Sequence, residues 1–240
     1  MEPNKTLTFS KGNAKLKHAG LYTMSLVAGH SCPFARDCLS KVNLTTKKIE
    51  DGKHTQFRCF SASTEALFPN VFKSRLDNFN LLKEAKTAEA MYNLIHESIP
   101  AAAKIVRIHV SGDFFSQNYF DAWMQIALTY PSITFYAYTK ALPFWVNRLL
   151  ILPDNFILTA SRGGTKDELI DKHGLRSAEV VFHPEEDEAK GLEIDHDDSH
   201  AMSHGPSFAL LLHGVQPAKS KASKALTRMM LEEISFSYRR

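Results

Sequence analysis

Ile105-Val106-Arg107-Ile108-His109-Val110-Ser111-Gly112-Asp113, followed by Gln117–Leu128 and then Ile133-Thr134-Phe135-Tyr136-Ala137-Tyr138, decides the fold. The two outer runs are β-branched and aromatic and of strand length, and the first ends on glycine and a carboxylate. Between them, Tyr119, Phe120, Trp123, Met124, Ala127 and Leu128 recur at helical spacing and define one apolar face. Ser116 precedes that segment as an N-cap and Pro131 follows its end. Strand, helix and strand in so short a span form a parallel β–α–β unit, because a parallel partner needs a crossover connection.

The same rhythm extends through the rest of the chain. Leu21–Ala28, Phe156–Ala160, Glu179–Phe182 and Phe208–Leu212 are further strand-like runs, and most neighbours lie roughly 23 to 29 residues apart. Helical patterns fill the gaps. Ala88–Ile99 is capped by Thr87 and stopped by Pro100; Ser63–Leu82 is interrupted by Pro69. Thr165–His173 ends at Gly174, and Ser220–Ile234 closes the chain. Near-continuous apolar strands alternating with helices predict an α/β fold with a parallel sheet and helices outside. Six strand–helix units suit a partial (β/α)6 barrel, with an open doubly wound sheet as the alternative. Residues 1–240 read as a single domain. It carries an N-terminal extension (1–20), a cysteine loop (29–60), a His/Asp-rich loop (185–206) and a C-terminal helix and tail (220–240).

Composition narrows the function classes. The chain has 240 residues, 44% hydrophobic and 23% charged, near the average of folded globular proteins. No apolar run approaches the roughly 20 residues that cross a bilayer, and Met1-Glu2-Pro3-Asn4-Lys5 lacks the apolar core of a signal peptide. A cytoplasmic setting without a membrane partner is the expectation. Lys and Arg number 29 against 26 Asp and Glu, so the net charge of +3 gives no general argument for nucleic acid. The basic flanks Lys5–Lys17, Lys219–Lys224 and Arg239-Arg240 read as solvated ends.

In parallel α/β folds, ligands bind where the carboxyl ends of the strands converge. Here those ends are Gly29-His30-Ser31-Cys32, Ser111-Gly112-Asp113, Thr139-Lys140, Ser161-Arg162-Gly163-Gly164, His183 and His213-Gly214. Turn formation accounts for the glycines and serines, but less well for Cys, Asp, Lys, Arg and His together. All three cysteines fall between Cys32 and Cys59, with spacing Cys32-x5-Cys38-x20-Cys59. Three clustered thiols suit a soft metal centre. Zinc would need a fourth ligand such as His30 or His54, while a cubane iron–sulfur cluster would leave one iron open. Three buried apolar cysteines are the plainer reading.

A first strand, a three-cysteine loop, and a second strand ending in Ser111-Gly112-Asp113 resemble the radical S-adenosylmethionine (SAM) fold. That resemblance implies a [4Fe–4S] cluster on Cys32, Cys38 and Cys59, with SAM chelating the open iron. It implies Ser111, Gly112 and Asp113 at the SAM ammonium, and Lys140 or Arg162 at its carboxylate. The chemistry implied is a SAM-dependent radical reaction, or electron transfer alone, with a ferredoxin or flavodoxin as donor. Val110-Ser-Gly-Asp-Phe-Phe-Ser116, Phe135-Tyr-Ala-Tyr-Thr-Lys140, Leu158-Thr-Ala-Ser-Arg-Gly-Gly164 and Asp195-His-Asp-Asp-Ser-His-Ala201 also resemble the phage-encoded gene product 88 family. This second resemblance implies a host-cell cytoplasmic setting and no assigned reaction.

Other groups leave further alternatives. Asp195, His196, Asp197, Asp198, His200 and His204 could form a divalent metal site, a lid carrying an acid or base, or a solvated acidic loop. His30, His196, His200 and His213 are candidate additional ligands, while His30 and His213 also suit core histidines bonded to carbonyls. Phe57, Phe60, Phe68, Phe72 and Phe79 read as packing rather than base stacking. Beside the iron–sulfur reading stand a zinc-stabilised, non-enzymatic protein touching nucleic acid or a host protein, and a metal-dependent hydrolase built on His196, Asp197 and His200.

Overall fold

A computed structural model describes residues 6–12, 16 and 18–234. In chain order its strands are β1 (Phe9–Lys11), β2 (Leu21–Met24), β3 (Ser40–Val42), β4 (Ile49–Asp51), β5 (Ile105–Arg107), β6 (Thr134–Thr139), β7 (Phe156–Ser161), β8 (Ser177–Val181) and β9 (Phe208–Leu211). The helices are α1 (Phe60–Leu67), α2 (Pro69–Ala85), α3 (Ala88–Ser98), α4 (Gln117–Thr129), α5 (Leu142–Val146), α6 (Glu168–His173), α7 (Pro184–Lys190) and α8 (Lys221–Leu231). The main sheet has seven strands in the order β1-β2-β5-β6-β7-β8-β9, and β3 and β4 form a separate antiparallel pair. From β2 to β9 every pairing is parallel, while β1 joins β2 antiparallel.

All six predicted strand runs are therefore present, and they lie side by side in sequence order. That order has no reversal, so the doubly wound alternative does not occur. The pairing ends at β1 and β9. The structure establishes a mixed α/β fold around a mostly parallel seven-stranded sheet; the radical SAM barrel expected above is not supported.

Local chemistry explains the helices. Thr87, Ser116 and Ser220 each accept a backbone N–H at the start of α3, α4 and α8, from Ala90, Tyr119 and Ser223 at 3.2, 3.2 and 3.0 Å. Each such cap is worth about 1 kcal/mol. Pro69 breaks the long apolar pattern into α1 and α2 because it can start a helix but not continue one. Gly174 ends α6 in the left-handed conformation, with φ at +59°. Asn155, just before β7, ties the end of α4 and its following turn to that strand, its side-chain amide donating to the carbonyls of Ala127, Tyr130 and Ile133 at 2.8–3.0 Å.

The core differs from expectation in detail. Tyr119, Phe120, Trp123 and Ala127 are buried as predicted, packed with Phe114, Phe135 and Phe156. Ile126, rather than Leu128, completes the α4 stripe; Leu128 is 61% exposed. Phe72 and Phe79 are core residues, whereas Phe68 lies largely outside. The N-terminal extension contributes β1 to the sheet, the cysteine loop contains the β3–β4 pair, and the His/Asp-rich loop begins as α7. Arg239 and Arg240 lie outside the described residues, as does part of the Lys5–Lys17 flank.

Candidate functional site

The site grows from the turn after β5. Gly112 has φ at +87°, and a Cβ there would lie 2.6 Å from Ser31 Oγ and 2.7 Å from Leu26 Cβ. Only glycine permits so close an approach to the segment leaving β2. Glu65 of α1 clamps the same two strand ends. Its fully buried carboxylate accepts the Ala28 amide at 3.1 and 3.2 Å, the Ser111 hydroxyl at 3.1 Å and Arg75 Nη1 at 2.9 Å.

This arrangement holds Asp113 under the sheet's carboxyl edge. Oδ1 accepts the Phe114 amide at 2.7 Å and the Thr139 hydroxyl at 2.6 Å; Oδ2 accepts the Lys140 amide at 2.8 Å. Burial nevertheless dominates and raises the carboxyl to about 6, against those three hydrogen bonds and the nearby Lys140 charge. Lys140 gives all three ammonium protons to the protein, donating to Ser161 O, Ser161 Oγ and Arg162 O at 3.0, 2.6 and 2.7 Å. It is a strut between two strand ends.

Above Asp113 lies a cavity of about 220 Å³. Cys32, Ser111, Gly112, Asp113, Lys140, Ser161 and His213 line it, so five of the six strand ends named from the sequence meet there. Leu16, Phe57, Phe60, Tyr138, Val180 and Leu210–Leu212 form apolar walls, and Asp195–Asp198 form a strap at the rim. The remaining strand end does not contribute: His183 pairs with Glu232 at 2.7 Å. Arg162 lines a separate hollow with Arg36 and Asp167, bonded to Asp171 at 2.8 Å and Ser177 at 3.2 Å. His30 bonds the Val42 carbonyl at 2.9 Å. His213 lies tilted against the Phe60 ring, centroids 4.7 Å apart. His196 reaches the cavity; His200 lies against Glu193 at 3.1 Å.

All three thiols are free and line this cavity. The Asp37 carbonyl accepts the amides of Gln56 and Phe57, and the Cys59 amide donates to Ser40 Oγ, which lays the Cys38 segment beside Cys59. Burial pushes the Cys32 thiol well up, helped by the charge of Asp113 and then by Cys59 and Cys38. Burial, followed by Cys38, raises Cys59 to about 11. Both are neutral thiols at pH 7.

The metal reading does not survive. Among the described residues no group of three or more His, Cys, Asp or Glu side chains could hold a metal ion. Sharing a cavity wall is a looser condition than converging on one centre, since zinc–sulfur bonds of about 2.3 Å require close mutual contact. The [4Fe–4S] cluster on Cys32, Cys38 and Cys59 is thereby overturned, and with it SAM as cofactor. The zinc alternative and the metal site at His196, Asp197 and His200 fall on the same ground.

Several site residues were not singled out from the sequence. Arg107, the last residue of β5, and His109, two residues beyond it, both line the cavity, and two basic-type side chains at i, i+2 in an otherwise apolar run were the available signal. Burial, with the Arg107 charge second, lowers His109 to about 3, so it is neutral, and its Nε2 bonds Tyr119 Oη at 3.1 Å. Glu65 gave no signal; its role needs the tertiary fold.

Fold and site together define an α/β protein with a polar-based, apolar-walled cavity at the carboxyl edge of a mostly parallel sheet. Its family is shown by a match to the Gene product 88 model over residues 4–228: the chain belongs to the gene product 88 family. It is 28% identical over 138 residues to the Gene 88 protein of Mycobacterium phage L5, covering 54% of this chain and 51% of that relative. The Gene 88 protein of Mycobacterium phage D29 is likewise 28% identical, covering 54% of this chain and 50% of the relative. The matched region thus spans about half the length of these curated relatives. No solved structure matches. No described helix is long and apolar enough to cross a membrane.

Proposed function

We propose that the cavity binds a small organic molecule with an N–H-bearing, cationic head and a compact apolar body, and that Asp113 receives the head. The carrying observation is the filling of the Asp113 carboxylate. A carboxylate has about four lone-pair positions; the protein fills three, leaving one on Oδ2. An ammonium at that position would supply the missing donor and offset the burial that raises this carboxyl. The aromatic and leucine walls suit the apolar body, and the neutral thiols of Cys32 and Cys59 add a soft, uncharged lining. With a carboxyl near 6, proton exchange with the bound head is the chemistry open to Asp113. The phage-encoded relatives support the cytoplasm of an infected cell as the setting.

Melting curves of the full chain with benzylamine, benzyl alcohol and benzoate at pH 7.5 test this. A ligand at 100 times its Kd stabilises by about 2.7 kcal/mol. Benzylamine should raise the melting temperature most, and Asp113→Asn should remove the difference between the amine and the alcohol. Equal shifts for all three probes in the wild-type protein would contradict the proposal.

A further inference from the structure

The cavity also contains a guanidinium, and the strap at its rim engages it. Arg107 of β5 is 9% exposed and lines the cavity. Its Nη1 donates to Asp198 Oδ2 at 2.6 Å and its Nε to the His109 carbonyl at 3.2 Å. Two phenols from β6 converge on the same carboxylate, Tyr136 Oη donating to Oδ2 at 2.9 Å and Tyr138 Oη to Oδ1 at 3.2 Å. The Arg107 guanidinium lies over the Tyr138 ring at 5.3 Å. Asp198 itself has φ at +66°, a conformation that side chains other than glycine, Asn and Asp rarely adopt.

The strap is held independently of that contact. Asp195 accepts the Asp197 and Ala201 amides at 3.2 and 3.3 Å, and its own amide donates to Ala209 at 2.9 Å. On the outer side, Arg176 donates to the carbonyls of His200, Ser203 and Pro206. Asp198 is therefore not needed to keep the strap in place. Its three donors are instead side chains of two cavity strands, chief among them the Arg107 cation.

We propose that Asp198 is the specificity-determining residue of the cavity: by pairing with Arg107 it cancels the site's inward-facing cation and turns away anionic ligands. This rests on the reading of the cavity as a ligand site, though not on Asp113 as the acceptor. A guanidinium in a half-enclosed apolar pocket would otherwise be a carboxylate or phosphate anchor. With Asp198 opposite, an incoming anion meets a filled guanidinium and a like charge, which suppresses wrong partners.

The test is titration of the full chain with benzylamine and benzoate, followed calorimetrically, for wild type, Asp198→Asn and Arg107→Met. Asparagine tolerates the positive φ and retains an acceptor, so Asp198→Asn preserves the shape and removes the charge. Wild type should favour benzylamine. Asp198→Asn should bind benzoate about 10-fold or more tightly than wild type does, the scale of one charge-assisted contact. Arg107→Met uncovers the Asp198 charge and should tighten benzylamine about 10-fold on the same scale; it gives an answer even if Asp198→Asn does not fold. Benzoate affinity unchanged in Asp198→Asn, or amine affinity unchanged in Arg107→Met, overturns the proposal. If wild type ignores the amine while Asp198→Asn gains benzoate, the Asp113 reading fails and this one stands.

Discussion

Asp113 is a carboxylate whose three hydrogen bonds do not compensate for its burial. Its folded value near 6 lies above the ordinary 3.8. The folded state therefore binds its proton more tightly than the unfolded chain does. The contribution of this group to stability rises as pH falls from above 6 towards 4, and is lost as pH rises through about 6. Carboxyl-carbon NMR should show Asp113 titrating near 6, and amine affinity should weaken below that pH as the charge is lost; a titration near 4 would contradict both statements. Glu65 makes the opposite case, a buried carboxylate surrounded by Arg75 and two further donors, the Ala28 amide and the Ser111 hydroxyl. Glu65→Ala should cost about 3–5 kcal/mol in urea denaturation, because it strands Arg75 and separates the ends of β2 and β5. A loss under 1 kcal/mol would show that the clamp is dispensable.

At the scale of elements, the turn after β5 sets the floor of the cavity. Gly112→Ala should cost at least about 1–3 kcal/mol from its positive φ alone, with further loss from the contacts at Leu26 and Ser31; it should also abolish amine binding. A fully stable, binding-competent variant would remove Gly112 from the account. The parallel strands and main helices were legible in the sequence because each carries a long apolar pattern with a cap or breaker. The β3–β4 pair was not legible: Ser40-Lys41-Val42 and Ile49-Glu50-Asp51 are too short and polar to show a period. Helix α7 was hidden for a related reason, since Pro184-Glu185-Glu186 begins like a helix but Pro184–Lys190 has no apolar stripe to extend it. The α4 stripe was placed slightly off because Leu128 and Ile126 are similarly apolar, and in the fold Ile126 is buried in the core while Leu128 is exposed.

At the scale of the whole molecule, the convergence of strand ends was legible, and the chemistry assigned to it was not. Parallel strands in sequence order must bring Cys32, Asp113, Lys140, Ser161 and His213 to one edge. Sequence spacing does not say how closely three thiols approach, and here they share a wall without forming a metal-binding group. Lys140 and Arg162 looked like anion clamps in the sequence; in the structure Lys140 is filled by carbonyl and hydroxyl oxygens, and Arg162 points to a different hollow. What remains at the edge is a carboxylate with one open position, a guanidinium cancelled by Asp198, and apolar walls. Calorimetric titration of benzylamine into the full chain at pH 7.5, beside Asp113→Asn, addresses that picture most directly. Binding should be saturable and one-to-one, and should weaken about 10-fold or more in the variant, as expected for loss of a charge-assisted hydrogen bond. Identical binding to both proteins, or none to the wild-type protein, would contradict it.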